Sequence, residues 1–283
     1  MTTANEIKFG IELETLMPNS ESHIRGRYHR GLQVEWLPTG WKAEADSSIR
    51  TRNGSLTGCE FVSPVMQGAE GLKTVVESVE KISQRGGQVN ASCGIHITFT
   101  WNGDSKALAR LLHLFANHEK AIYASTGTHS REGGSWCKGM KQYGDCSNAQ
   151  NRMNRDRYHV VNLTHLARGA NRIEIRAFAG SLNATKIAGH VAMVLGLVEL
   201  ALNATRRQSW NYTQKEGTKG PWAADNRGNG ETELRRLFYR LGWTKGHAKK
   251  QFGGEVLSEA TATMKEIKKE LTRLAKKYDG RVC

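Results

Sequence analysis

Four short stretches of the chain alternate apolar and polar residues. Phe9, Ile11 and Leu13 take every second position, with Glu12 and Glu14 between them. Alternate residues of a strand share a face, so the apolar set packs inward and the two carboxylates project together on the other side. Cys59 to Pro64 presents Glu60 in the same way, Gly94 to Phe99 presents His96, and Arg172 to Arg176 presents Glu174 beside Arg176. Elsewhere the helical period takes over. Leu72, Val75, Val76, Val79 and Ile82 recur at helical spacing, and Gly86-Gly87 supplies the stop. Leu108, Leu111, Leu112, Phe115 and Ile122 form one stripe of a helix whose cap is Ser105. Residues 184–204 read as a buried helix. Leu257, Ala260, Met264, Ile267, Leu271 and Leu274 alternate spacings of three and four, as in a coiled-coil seam or a helical hairpin packed within the chain.

Between these elements, residues 36–64 read as a meander of short strands, with Asn53-Gly54 as a hairpin turn. Residues 158–163 and 173–178 read as two further strands. The polar stretch 18–34, with His23, Arg25, Arg27, His29 and Arg30, is expected to be a mobile loop near the site. The Gly-, Ser-, Asn- and Arg-rich stretch 126–157 is a candidate lid. The pattern predicts an α+β fold: a curved antiparallel sheet with a chemically active polar face, flanked by helices, with a helical C-terminal region. The expected division is a catalytic unit over 1–205, a polar linker over 206–230 and a basic helical appendage over 231–283, through whose helix the chain can oligomerise.

The chain has 283 residues and ordinary polarity, with a mean hydropathy of −0.55. No charged-then-apolar leader opens it. The longest apolar stretch, Ile187 to Leu202, is broken by Gly189, His190, Gly196 and Glu199 and falls short of a membrane span. An odd five cysteines fit a reducing, cytoplasmic compartment. Cys137, Cys146 and His129 hint at zinc, but the close cysteine pair typical of structural zinc is absent. The net charge of +14 draws nucleotides, phosphorylated metabolites, acidic polymers or nucleic acid without choosing among them. Trp101, Trp136, Trp210, Trp222 and Trp243 interleave with basic residues, an arrangement that suits base stacking or ordinary packing.

The acidic positions change the picture most. Carboxylates gathered in a partly dry site repel unless cations lie between them. Oxygen ligands with one imidazole suit Mg²⁺ or Mn²⁺, and the planar guanidinium of Arg176 matches a phosphoryl group. Arg131 and Arg172 bind nucleotide phosphates or merely solubilise a loop. Asn162 orients a substrate or satisfies backbone groups at a strand end.

The ordered set Gly10-x-Glu12-x-Glu14, Asp46-Ser47-Ser48 leading to Glu60 and Val62-Ser63-Pro64, Gly94-x-His96, Asn162-Leu163, and Glu174-x-Arg176-x-Phe178 resembles the amidoligase family. That family belongs with glutamine synthetase and glutamate-cysteine ligase among the carboxylate-amine ligases. The resemblance covers about residues 7–200. It implies a funnel-shaped active site, with ATP entering one end and a carboxylate and an amine meeting at the other. It further implies transfer of the γ-phosphate to the carboxylate, followed by amine attack on the acyl phosphate. By motif position, Glu14 and Glu60 would hold one magnesium, and Glu12, His96 and Glu174 the one bridging the ATP phosphates. Arg176 would touch the transferred phosphoryl group, and Asp46 would hold the amine or assist a metal. Arg131, Arg172 and Asn162 are the further nucleotide-binding candidates. Either substrate can belong to a macromolecule. The sequence departs from the family pattern at Thr98, where a second histidine is common, and at Ser47, where glycine is usual. Two other readings stand beside this one: a nucleic-acid-binding protein using the basic surface, and a two-metal hydrolase.

Overall fold

The computed structural model describes residues 1–140, 151, 154–204, 228–244 and 250–281. Its centre is a fully antiparallel sheet. In chain order the strands are β1 (Lys8–Pro18), β2 (Leu32–Gln33), β3 (Lys42–Glu44), β4 (Leu56–Val62), β5 (Met66–Gln67), β6 (Gly94–Thr100), β7 (Val161–Asn162) and β8 (Arg172–Ala179). They lie side by side as β2-β3-β4-β1-β6-β8-β7, with β5 pairing the start of β1. The helices are α1 (Gly68–Gln84), α2 (Ser105–Asn117), α3 (Glu119–Ala124), α4 (Thr164–Ala167), α5 (Ala184–Asn203), α6 (Gly230–Arg240) and α7 (Met264–Tyr278).

The alternation sorts the sheet into two faces. Phe9, Ile11, Leu13, Ile95, Ile97, Phe99, Ile173 and Ile175 are all at most 2% exposed and face the helical side. There α5 packs against α1, α2 and α7. This helix is apolar nearly all round because it lies at the centre of the core, which is why it also has the length and composition of a membrane span while most of it is buried in the fold.

Several boundaries differ from the sequence reading. Asp104, not Ser105, caps α2: its carboxylate accepts from the Ala107 amide at 2.7 Å, so Ser105 becomes the first helical residue. The stripe from Leu108 to Ile122 is one buried face on two helices, because His118 leaves helical geometry between α2 and α3. Asn53-Gly54 turns the chain into β4 but does not join β3 to β4 tightly; the connection is the whole of 45–55, which leaves the sheet to wall the site. Leu257 and Ala260 precede α7 in short turns, so the seam is helical only from Met264. Residues 231–281 place Leu234, Leu237, Trp243, Ile267 and Leu271 in the same core cluster as the sheet. Residues 205–227, with Trp210 and Trp222, lie outside the described residues, as do 141–150, with Cys146, and 152–153 of the stretch 126–157.

Candidate active site

The open face of the sheet gathers the acidic residues through strand register. Glu14 on β1 lies opposite Glu60 on β4, and Glu60 opposite Glu44 on β3. Glu12 lies opposite His96 on β6. On β8 a bulge resets the alternation: Ile95 pairs with Phe178 and Ile97 with Ile175, so Arg176 and Ala177 together face the single residue His96. Arg176 shares the open face with Glu174 by regular alternation, and the extra residue lets Phe178 return to the core, where it stacks on His190 of α5.

The side chains converge closely. His96 Nδ1 lies 3.0 Å from Glu12 Oε2 and 3.4 Å from Glu174 Oε1, and its Nε2 lies 3.4 Å from Glu14 Oε1. Arg176 donates to Glu174 Oε1 at 2.6 Å, and Asn162 donates to Glu174 Oε2 at 2.5 Å. Arg131, from the segment after α3, reaches within 3.3 Å of His96 Nε2. It passes over Gly94, where a Cβ would stand 2.0 Å from the guanidinium, so any larger residue there would displace Arg131. Gly94 also donates its amide to Glu14 at 2.5 Å.

Electrostatics show what this arrangement needs. Burial, then the charges of Glu12, Glu14, Asp46 and Glu44, push the Glu60 carboxyl up to about 10. Burial raises Glu12 as well, against the pull of Arg176, although 35% of its side chain meets solvent. Burial and the neighbouring Arg176 hold His96 down at about 4, so it is neutral at physiological pH. Each of Glu12, Glu60 and His96 can bring one ligand atom within 4.8 Å of the others, and so can Glu14, Asp46 and Glu60. Hard carboxylate oxygens with one neutral imidazole are a donor set for Mg²⁺ or Mn²⁺, and a cation would relieve the repulsion that raises Glu60. The residues present therefore fit a divalent ion.

This cluster forms the neck between two recesses. A large one of about 670 Å³ runs over Gly10, Val62 and Pro64 towards Arg155, Arg168 and Arg172. A smaller one of about 320 Å³ lies on the other side, lined by Ser48, Arg50, Ser92, Arg131 and Trp136. Between them a cavity of about 290 Å³ holds Glu12, Glu14, Asp46, Glu60 and His96. Arg176 lines all three.

A family model described as "Putative amidoligase enzyme" matches residues 5–198, well over half the chain. The chain belongs to the amidoligase family. It is thus an amide-bond-forming ligase of the carboxylate-amine class. A search of curated protein sequences finds no match. Among solved structures it is similar to GmaS in complex with ADP, at 13% identity and a TM-score of 0.41, over 98% of this chain and 71% of that one. It is also similar to the complex of the prokaryotic ubiquitin-like protein Pup with its ligase PafA, at 12% identity and a TM-score of 0.45, over 95% of this chain and 64% of that one.

In this amidoligase the residues expected from sequence fall into distinct places. Glu12, Glu14, Glu60, His96, Glu174 and Arg176 meet at the neck, with Asp46 at its edge. The sequence groups Glu14 with Glu60, and Glu12 with His96 and Glu174; the structure sets Glu60 within reach of both sets and adds Asp46 to Glu14. Arg172 lines the large recess, whereas Arg131 lines the small one. Asn162 is almost fully buried and holds Glu174 while accepting from Thr164. Thr98, opposite Glu174 in register, lines the large recess. Of the stretch 18–34, Tyr28 and His29 reach the central cavity. His129 stands apart, 2.7 Å from Glu132 and stacked on Tyr278, while Cys137 lies near the Tyr123 hydroxyl; among the described residues neither belongs to a metal-like group.

Sequence reasoning missed two participants. Glu44 is buried, lies opposite Glu60 and helps raise it. Its place in Lys42-Ala43-Glu44, a short alternating run, was the available signal. Arg50 and its neighbours carry no strand or helix period, so only the folded loop reveals them.

Proposed function

We propose that this amidoligase joins a carboxylate to an amine at the expense of ATP, through an acyl phosphate, with divalent metal at the neck. The observation that carries this reading is the convergence of five metal-suited side chains and Arg176 between two recesses of different size. The large recess has the volume for a nucleotide and presents Arg155, Arg168 and Arg172 to its phosphates. The small recess takes the acid.

A free carboxylate is a poor acylating agent because its leaving group would be oxide or hydroxide. In the proposed reaction a carboxylate oxygen attacks the γ-phosphorus and the bond to ADP breaks; the amine nitrogen then attacks the carbonyl carbon, loses a proton to a nearby carboxylate and expels phosphate. Divalent ions supply charge neutralisation at the phosphates when bound. Arg176 offers a planar cation to the phosphoryl oxygens at the junction of the recesses. Glu174 holds Arg176 in place, and Asn162 fixes the rotamer of Glu174. Neutral His96 contributes a lone pair, and Glu12, Glu14, Asp46 and Glu60 contribute anionic oxygens. Asp46, which lines the central cavity, is placed to accept the proton the amine loses as it attacks.

The three described cysteines are free and buried, which accords with a cytoplasmic setting. Family membership lends no support to the nucleic-acid-binding alternative. The test is release of ADP and phosphate from ATP and Mg²⁺ in the presence of pooled carboxylic acids, with hydroxylamine trapping the acyl group as a hydroxamate. Turnover that survives Glu12→Ala, Glu60→Ala and Glu174→Ala would refute the assignment. Phosphoester cleavage without ATP would identify a hydrolase instead.

A further inference from the structure

Two arginines stand against His96 at the neck, and they are held in different ways. Arg176 is locked on its own strand by the ion pair with Glu174. Arg131 is 6% exposed, makes no ion pair among the described residues, and has its Nε buried without a partner. With no carboxylate to fix the side chain, its place over Gly94 is set by the segment that carries it. That segment, 128–134, contains no helix or strand. Its own bonds are local: the Glu132 amide donates to the His129 carbonyl at 3.0 Å, and the Ser130 amide to the Thr128 hydroxyl at 3.2 Å. Apart from Arg131 itself, its hydrogen bonds to another element, among the described residues, all end on Tyr278 in the last turn of α7.

The tie is a closed ring of side chains. His129 Nδ1 lies 2.7 Å from Glu132 Oε2 and its Nε2 2.9 Å from the Tyr278 carbonyl oxygen, with the imidazole stacked on the Tyr278 ring. The Tyr278 hydroxyl donates to the same Glu132 oxygen at 2.6 Å. Next to it, Asp279 accepts from the amides of Gly230 and Glu231 at 2.7 and 3.0 Å, which anchors this end of α7 to the start of α6. Both ring nitrogens of His129 thus face oxygens that only accept. A neutral imidazole has one N–H and turns a lone pair on one of them, whereas an imidazolium satisfies both. The surrounding charges agree. Hydrogen bonding to Glu132 raises His129, and Asp279 adds to the effect. Burial works to raise the Glu132 carboxyl, yet hydrogen bonds from Tyr278 and His129 hold it below its ordinary value, with Lys120 of α3 adding to them. Burial, the Glu132 contact and the charges of Asp279 and Glu119 raise the Tyr278 phenol, so it stays a donor. We propose that His129, Glu132 and Tyr278 are positioning residues, a clasp by which the C-terminal helix sets Arg131 against His96, complete only while His129 carries two N–H groups. The clasp is whole at low pH and loosens as pH rises through the raised value of His129. Its effect on turnover rests on the ligase reading; the clasp itself does not.

The experiment follows ADP release and hydroxamate formation from ATP, Mg²⁺, hydroxylamine and pooled carboxylic acids between about pH 6 and about pH 9. Wild type is compared with Tyr278→Phe, His129→Gln, Arg131→Met and the double variant Tyr278→Phe with Arg131→Met, alongside amide hydrogen exchange over 128–134. Tyr278→Phe keeps the stacked ring and the main-chain carbonyl, and should lower kcat about fivefold at the acid end with KM for ATP unchanged. In the Arg131→Met background the same change should have no further effect, whereas a merely structural loss would add. The ratio of wild-type to His129→Gln kcat should fall towards one as pH rises. Exchange protection over 128–134 should be weaker in Tyr278→Phe than in wild type at the acid end, and the two should converge at the alkaline end. A ratio that stays flat with pH, or losses that add in the double variant, overturns the proposal and leaves the ligase reading intact. Absence of turnover in wild type removes the ligase reading, and the exchange data then decide the clasp: the pH-dependent difference supports it, and equal protection at every pH overturns it.

Discussion

At the scale of single residues, Glu60 is the side chain most at odds with its surroundings. It is buried among four other carboxylates, and its own stays protonated to about 10 when no cation is bound. A carboxyl raised in the folded state binds a proton that the unfolded chain has released, so at neutral pH it opposes folding. Glu60→Gln should therefore melt at higher temperature than wild type in chelator, while losing most activity and requiring far more Mg²⁺. Parallel melts in EDTA and Mg²⁺ titrations of ADP release check both halves. Asn162 tests positioning. Asn162→Ala frees Glu174, and through it Arg176, and should lower kcat about 10- to 100-fold, with a loss of about 1–3 kcal/mol of stability because Thr164 and Glu174 lose a buried partner. Arg176→Lys keeps the charge but loses the planar fork, and a kcat loss of about 10²-fold or more is expected.

At the scale of elements, the site depends on strand register and on how tightly the helical layer backs the sheet. The β8 bulge is the main irregularity: regular alternation keeps Arg176 on the open face with Glu174, and the extra residue after it returns Phe178 to the core. Behind the sheet, the loop before the final 3₁₀ turn crosses α5 with almost no clearance. Gly253 has φ of +73°, donates to the buried Glu199 at 3.1 Å, and would place a Cβ 2.0 Å from the Ala192 carbonyl oxygen. Gly253→Ala combines left-handed backbone with a backbone clash, and a loss of about 2–4 kcal/mol by urea unfolding is expected. Asp104→Ala, which removes only the α2 cap, should cost about 1 kcal/mol by the same measurement.

At the scale of the whole molecule, buried neutral histidines set the acid limit. Burial holds His118 at about 3 and His159 at about 4, and keeps His190, inside the α5 core, well below 6.5. Unfolded, each takes up a proton near 6.5; folded, each resists until far lower pH. The unfolded state thus binds more protons through that window, and stability falls as pH drops from about 6.5 towards 4. Melting temperatures across this range should decline steeply, and His190→Gln should flatten the decline if it folds. The sequence by itself determined the two faces of the sheet, because a period of two commits Glu12, Glu14, Glu60 and Glu174 to the side opposite Phe9, Ile11, Leu13 and Ile175 wherever the strands pair. It also determined the family, through motifs whose order survives without coordinates. Only tertiary structure decided which strands are neighbours, that Glu60 stands within reach of both acidic groups, that Arg176 meets His96, that a bulge returns Phe178 to the core, and that Arg131 and Arg50 line the recess opposite Arg172. Those facts depend on long-range pairing and on loops without periodicity, for which local patterning carries no signal.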